Sequence, residues 1–370
     1  MKEIRPEANI PEHPIQFDSL GERVGKIVEG MHANSSAMAG QYKHPELGDL
    51  FVKQESKPTK TLVEWAFYQV AKAVLSATGQ QDILARMAPI VLITPQKTNN
   101  AAKDVYVGSV SHTNMDLLWK GVYAQAHPGK KIPKKRIGPF ERIYKKEILS
   151  YIEKFNQQDA GFSMMPVLAL LGHHAMHFGN LGFQKEGHHK KMVFFDYGAA
   201  AWYDLNNQDF GKPKLKGTIG YRVVNKVFGF SKNYMENYIP AFDAVEARKY
   251  LLAVNTEFQK NYAQVATDIN TAMKTLAEAL DHESLLKFAK YIRVTPKIDK
   301  RDSKEEAAQA IGDYLFTRMA NRINAIPAHL KQYFSNEVRT SESGIFGKQK
   351  HLHAEQVADA TSETSPKARK

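Results

Sequence analysis

The hydrophobic pattern changes period partway along the chain, and that change limits the folds open to it. Up to Asp196, short apolar runs alternate with turn residues around one long helical stretch. Beyond it, apolar residues recur at helical spacing over roughly 233–262, 263–281, 283–292 and 303–335. Strand-like runs collected ahead of a helical half imply an α+β fold. The chain has 370 residues, more than the roughly 250–300 at which a single core stops growing, so two lobes are expected. We expect residues 1–20 to form a polar, proline-dotted arm, 21–112 a small mixed α/β N-lobe and 113–339 an α-rich C-lobe. Residues 340–370, rich in Ser, Thr, Glu, Lys and Ala, read as a disordered tail. With 43% hydrophobic and 24% charged residues, the chain is neither collagen-like nor wholly disordered.

Within the first half, MAGQYK, the turn HPELGD and LFVKQ read as a hairpin that places Lys53 near the end of its second strand. A helix, TLVEWAFYQVAKAVLSATG, carries Glu64 in its first turns and stops at Gly79. Two β-rich runs follow, Pro89 to Thr94 and Asp104 to Val110. MMPVLALLG, Met164 to Gly172, reads as a short buried helix with Pro166 near its start. HHAMHFGNLGFQ reads as a histidine- and glycine-rich turn, and KKMVFFD as a strand ending at Asp196.

The absence of cysteine excludes disulfides, thiolate metal sites and a cysteine nucleophile. The opening MKEIRPEANIPEHP has no apolar run of signal-peptide length, and no stretch reaches eighteen apolar residues. A cytoplasmic protein without a transmembrane segment is expected. The net charge of +12 points to a polyanionic partner. It is concentrated in residues 127–154, which hold Lys130, Lys131, Lys134, Lys135, Arg136, Arg142, Lys145 and Lys146. Clustered cations of this kind suit an inositol polyphosphate or a phosphoinositide head group. Lys212, Lys214, Lys216 and Arg222 would add to them if the fold brings them near. Only Phe140 and Tyr144 interleave the cations, which disfavours single-stranded nucleic acid.

Four chemistry-bearing residues occur in a set order: a strand lysine, Lys53; a helix glutamate, Glu64; a turn asparagine, Asn180; and a strand-end aspartate in Asp196-Tyr197-Gly198. Singly each is commonplace. Together they are what phosphoryl transfer needs, a locked cation for the phosphates and two oxygen ligands for a metal. In this order the chain resembles the protein-kinase superfamily, in its atypical, lipid-kinase-like and phosphotransferase-like branches, over about Met31 to Ala200.

The resemblance implies a bilobal kinase-like fold with ATP and Mg2+ or Mn2+ between the lobes. Laying HHAMHFGN on the family pattern H-R-D-x-x-x-x-N puts His173 at the histidine and Asn180 at the metal-binding asparagine. Asp196 stands at the second metal ligand, Lys53 at the phosphate-holding lysine paired with Glu64, and Ser35 and Ser36 at the phosphate loop. The adenine would lie near Val110 to His112. The position of the family's catalytic aspartate is Ala175; His177, or else His174, would then act as base or charge stabiliser.

These features imply an atypical kinase acting on a protein hydroxyl, with activity promoted by a bound polyanion such as inositol hexakisphosphate. The alternatives are a pseudokinase or inositol-polyphosphate-binding module using the same cleft, and a metal-dependent hydrolase built on the His173, His174, His177 cluster. The tail and overall layout resemble secreted effector kinases of intracellular bacterial pathogens, which implies work in a host cytoplasm.

Overall fold

A computed structural model of the chain describes residues 10–25, 39–54, 58–94, 105–112, 114–134, 136–137, 140–173, 179–187, 189–197, 244–294, 303–328 and 330. It is an α+β structure of two lobes. The first is a six-stranded sheet with strand order β1-β5-β6-β4-β3-β2, made of β1 (Ile15–Gln16), β2 (Glu22–Gly25), β3 (Gly40–His44), β4 (Gly48–Lys53), β5 (Ile90–Thr94) and β6 (Tyr106–Val110). Helix α1 (Pro58–Ala77) and the short α2 (Gln81–Leu84) lie between β4 and β5.

The hairpin falls where the turn residues put it, with His44 opposite Gly48 and Gly40 opposite Val52. Period-two alternation then sorts the side chains. In β5, Ile90 and Leu92 join the core beneath α1, whereas Val91 and Ile93 pack with Leu50, Val52 and Tyr106 on the opposite face of the sheet. The end of the N-terminal arm is part of this lobe: Ile15 and Gln16 pair in parallel with Ile93 and Thr94, and Leu20 is buried. The arm thereby covers the edge that β5 would otherwise expose.

The second lobe begins with β7 (Met115–Leu117), α3 (Leu118–Ala126), α4 (Phe140–Ile143), α5 (Lys145–Asn156) and α6 (Gly161–Leu171), followed by β8 (Leu181–Glu186) and β9 (His189–Phe194). β7, β8 and β9 form a three-stranded antiparallel sheet. LGFQKE is therefore a strand, where the sequence pattern reads as a turn. α6 starts three residues ahead of the expected Met164, which leaves Pro166 inside it. Asp159 supports this earlier start by accepting a bond from Gly161 N at 3.3 Å. The helix ends on Gly172 at φ 111°, with His173 N donating to Leu168 O at 2.9 Å, a left-handed terminus that spares the last carbonyls.

Among the described residues the lobe continues with the helices α7 (Ala244–Lys260), α8 (Tyr262–Ala279), α9 (His282–Tyr291) and α10 (Lys304–Asn324). Asp281 caps α9 by accepting from Ser284 N at 2.7 Å, and Ser303 with Glu306 forms a reciprocal capping box on α10. α10 is interrupted at Ala325 and the described residues are helical again over 326–328 and at 330; the rest of the expected stretch to 335 lies outside the described residues. Pro327 has no N–H for the carbonyl of Ile323, and Asn255 Nδ2 supplies that bond instead at 2.9 Å. α1 packs against α6, α7, α8 and α9, so the two lobes meet on a shared apolar core running from Phe67 and Val74 to Phe288 and Met319.

Candidate functional site

Lys53 ends β4 in register with Val107 of β6, and its ammonium leaves the sheet toward α1. There it lies 2.9 Å from Glu64 Oε2 and 2.6 Å from Asp196 Oδ1. Glu64 is held from its other oxygen as well, because Oε1 accepts the backbone N–H of Tyr197 at 3.1 Å. Tyr197 is itself fixed, with its ring buried and its hydroxyl donating to Phe194 O at 2.7 Å. The hairpin register decides where Asn180 stands. Leu181 pairs with Phe194 and Phe195 N donates to Asn180 O at 3.4 Å, so Asn180 and Asp196 share one end of the β8–β9 hairpin.

The two carboxylates differ in what they can reach. The Glu64 side chain is fully buried, whereas that of Asp196 is 45% exposed. A metal or phosphate entering from solvent would meet Asp196 and the Lys53 ammonium, while Glu64 stays behind as the group that positions the lysine. Asp196 also adopts φ 59°, a left-handed conformation that aspartate tolerates better than most residues. It turns the carboxylate off the line of β9.

Burial pulls the Lys53 ammonium toward neutrality, but Asp196 and Glu64 outweigh it and raise its pKa above the ordinary lysine value. Burial pushes the Glu64 carboxyl up to about 7, a rise that Lys53 offsets only in part. Between an unfolded value near 4.5 and about 7, the native state binds more protons than the unfolded one, so Glu64's contribution to stability falls as pH rises through that window. Removing the lysine charge in Lys53→Ala extends the window upward. The variant is expected to lose stability more steeply than the parent between pH 7 and 8, where the Glu64 contribution in the parent is levelling off. Urea midpoints across pH 5–8 test this, and parallel curves for parent and variant would contradict it.

His112 follows β6 in the linker between the lobes, beyond Ser111, whose N–H donates to Asp49 O at 2.9 Å. Its ring is buried against the backbone carbonyls of Arg86 and Met87, with Lys191 of β9 nearby. Burial and that lysine lower its pKa to about 4. A histidine held neutral in this way stabilises the fold fully above its unfolded value near 6.5, and the contribution is lost as pH falls toward 4. The loss amounts to about 3 kcal/mol at most. His112→Gln should flatten the acid limb of a pH–stability profile between pH 6.5 and 4, and an unchanged limb would assign the acid sensitivity elsewhere.

His173, the remaining expected site residue near α6, is enclosed by Phe67 and Tyr197, with ring centroids at 5.8 and 5.0 Å. Ser35, Ser36, Lys135, His174, Ala175, His177, Lys212, Lys214, Lys216 and Arg222 lie outside the described residues, as do the side chains of Arg142 and Lys145. Lys130, Lys131, Lys134 and Lys146 are exposed. Among the described residues, no group of three or more His, Asp or Glu side chains is placed to hold a metal, and no helix is long and apolar enough to cross a membrane.

Sequence reasoning missed Tyr197 as the donor that orients Glu64, since a tyrosine beside an aspartate carries no local signal of that role. It also missed the buried pair of Arg86 and Asp159, 2.7 Å apart. Those residues come from segments whose spacing shows no shared pattern.

The sheet lobe, the helical lobe and the lysine, glutamate and aspartate gathered between them define a two-lobed α+β protein with a charged site. The chain belongs to the LepB N-terminal domain family, whose model matches residues 129–330. Among solved structures it is similar to the N-terminal 618-residue fragment of LepB from Legionella pneumophila, at 16% identity and a TM-score of 0.43, over 77% of this chain and 46% of that one. It is also similar to the proinflammatory kinase CtkA of Helicobacter pylori, at 15% identity and a TM-score of 0.42, over 86% of this chain and 99% of that one. The chain thus spans about half the length of the LepB fragment. No curated protein matches its sequence.

Proposed function

We propose that this chain is an atypical phosphotransferase that moves the γ-phosphoryl group of ATP to a protein hydroxyl. The observation that carries the reading is the contact of one partly buried lysine with two carboxylates, one sealed from water and one open to it. The residues suit a magnesium- or manganese-bound triphosphate. Asp196 and Asn180 offer the oxygen donors that hard cations prefer, and Lys53 remains cationic beside them. Bound there, the metal and nucleotide would supply the transferable phosphoryl group and neutralise its developing charge. Lys53 would hold the phosphates, Glu64 would keep Lys53 in place, and Asp196 would exchange its lysine contact for the metal. His177 or His174 would take the role left open at Ala175. The basic segment would bind the activating polyanion, inositol hexakisphosphate or a phosphoinositide, and the working compartment would be a host cytoplasm.

Incubation with radiolabelled ATP and Mg2+, with and without inositol hexakisphosphate, tests this. Label is expected on protein and is expected to vanish in Lys53→Ala and Asp196→Ala. Label partitioning into extracted lipid would reassign the acceptor. A second reading, a nucleotide-binding pseudokinase, is favoured by Ala175 standing where the family pattern has its aspartate. Nucleotide binding without turnover would select it.

A further inference from the structure

We propose that the described residues between His127 and Tyr144, with Lys130, Lys131, Ile132, Lys134, Ile137 and Ile143 foremost, seat this protein on an anionic bilayer surface. The two ends of the segment are tied together. His127 Nε2 lies 3.2 Å from the Tyr144 hydroxyl, and the His127 ring lies 4.6 Å from that of Tyr123. Phe140, fully buried, packs 4.7 Å from Tyr144 and 6.0 Å from Trp119. Both ends are held by one aromatic cluster, and between them residues 128–134 and 136–137 lie at the surface outside any helix or strand, where binding residues are often found.

What this stretch shows to solvent is unusual in two respects at once. Ile132, Ile137 and Ile143 are 38%, 36% and 53% exposed, and they are three of the five exposed large hydrophobic residues among those described. Single exposed apolar side chains are ordinary, but three in the short stretch from Ile132 to the end of α4 at Ile143 are an interaction signal. Lys130, Lys131 and Lys134 are exposed among them, and the sequence from Pro128 to Phe140 contains no acidic residue.

A soluble polyanion or a nucleic acid would use the cations and leave the isoleucines in water. An anionic lipid surface uses both, because head-group phosphates attract the lysines while the acyl boundary takes the apolar side chains. The inference shares the basic segment with the polyanion reading above and specifies a membrane as the form in which the anion is met. It does not depend on phosphoryl transfer.

The test is co-sedimentation of the full chain with vesicles of phosphatidylcholine alone, with phosphatidylserine or with a phosphoinositide, at about 0.15 M salt, beside calorimetric titration with free inositol hexakisphosphate. The parent should bind the phosphatidylserine vesicles and not the neutral ones. The triple variant Ile132→Ser, Ile137→Ser, Ile143→Ser should bind them about tenfold or more weakly with its response to inositol hexakisphosphate unchanged. These side chains are exposed, so the thermal midpoint should stay at the parent value. Lys53→Ala should sediment as the parent does, which separates this result from any failure of phosphotransfer. Absence of parent binding to phosphatidylserine vesicles, or equal binding by the isoleucine variant, would overturn the proposal. So would binding confined to phosphoinositide-containing vesicles and indifferent to the isoleucines, since that describes a head-group pocket.

Discussion

Asp196→Asn is expected to slow phosphoryl transfer by about 10²- to 10³-fold, the cost of removing one preorganised electrostatic group from a reacting centre. The substitution keeps the side-chain volume, and asparagine tolerates the left-handed backbone that Asp196 adopts at φ 59°, so the fold should persist. What it removes is a negative charge 2.6 Å from Lys53 Nζ and open to solvent. Glu64→Gln should behave differently. Glu64 is sealed behind the lysine, and its Oε1 accepts from Tyr197 N, a bond that glutamine can retain through its carbonyl. Loss of that charge should loosen Lys53 and raise the KM for ATP more than it lowers kcat. Initial rates over a range of ATP concentrations, with thermal midpoints in parallel, separate the two variants. A parental rate in Asp196→Asn would remove this carboxylate from the reaction.

Asp159→Ala is expected to cost about 3–5 kcal/mol of stability, as breaking one side of a buried ion pair does. Both Asp159 oxygens contact Arg86 Nη1, at 2.7 and 2.8 Å, and Oδ2 also accepts from Met192 N at 2.9 Å. The side chains of Arg86 and Asp159 are each only 7% exposed. Asp82, one turn before Arg86, contacts it at 3.1 Å from a half-exposed position and cannot replace the bond to Met192. The pair joins the segment before β5 to the turn between α5 and α6 and to β9, so its loss loosens the junction of the lobes. Replacing both partners together, Arg86→Met with Asp159→Leu, should cost less than Asp159→Ala alone, because no buried charge is then stranded. Urea denaturation of the single and double variants measures this, and a double variant as unstable as the sum of the singles would count against the pair as a coupled unit.

The parts of the fold legible in advance were those written in local pattern. The β3–β4 hairpin follows from HPELGD between two strand-like runs, and α1, α9 and α10 from their apolar spacing. Where the reading failed, the deciding partner was distant. β1 is two residues long and exists because Ile15 and Gln16 find Ile93 and Thr94. β8 is interrupted by Gly182 and follows a histidine-rich turn, so its strand character depends on pairing with β7 and β9. The break in α10 at Ala325 precedes Pro327, and the carbonyl it leaves over, that of Ile323, is satisfied by Asn255, 68 residues away.

For the site, the sequence determined which chemical groups are available and on what kind of element each sits, because residue type, turn chemistry and periodicity belong to the local chain. It placed Lys53 at a strand end, Glu64 on a helix and Asp196 after a strand, and it identified the basic stretch. Only the tertiary structure decided that Lys53 meets Asp196 across 143 residues, that Glu64 is excluded from water while Asp196 is not, and that Tyr197 holds Glu64 in place. Charge proximity and solvent exclusion arise when distant segments close over one another, and no window of the sequence contains both sides of such a contact.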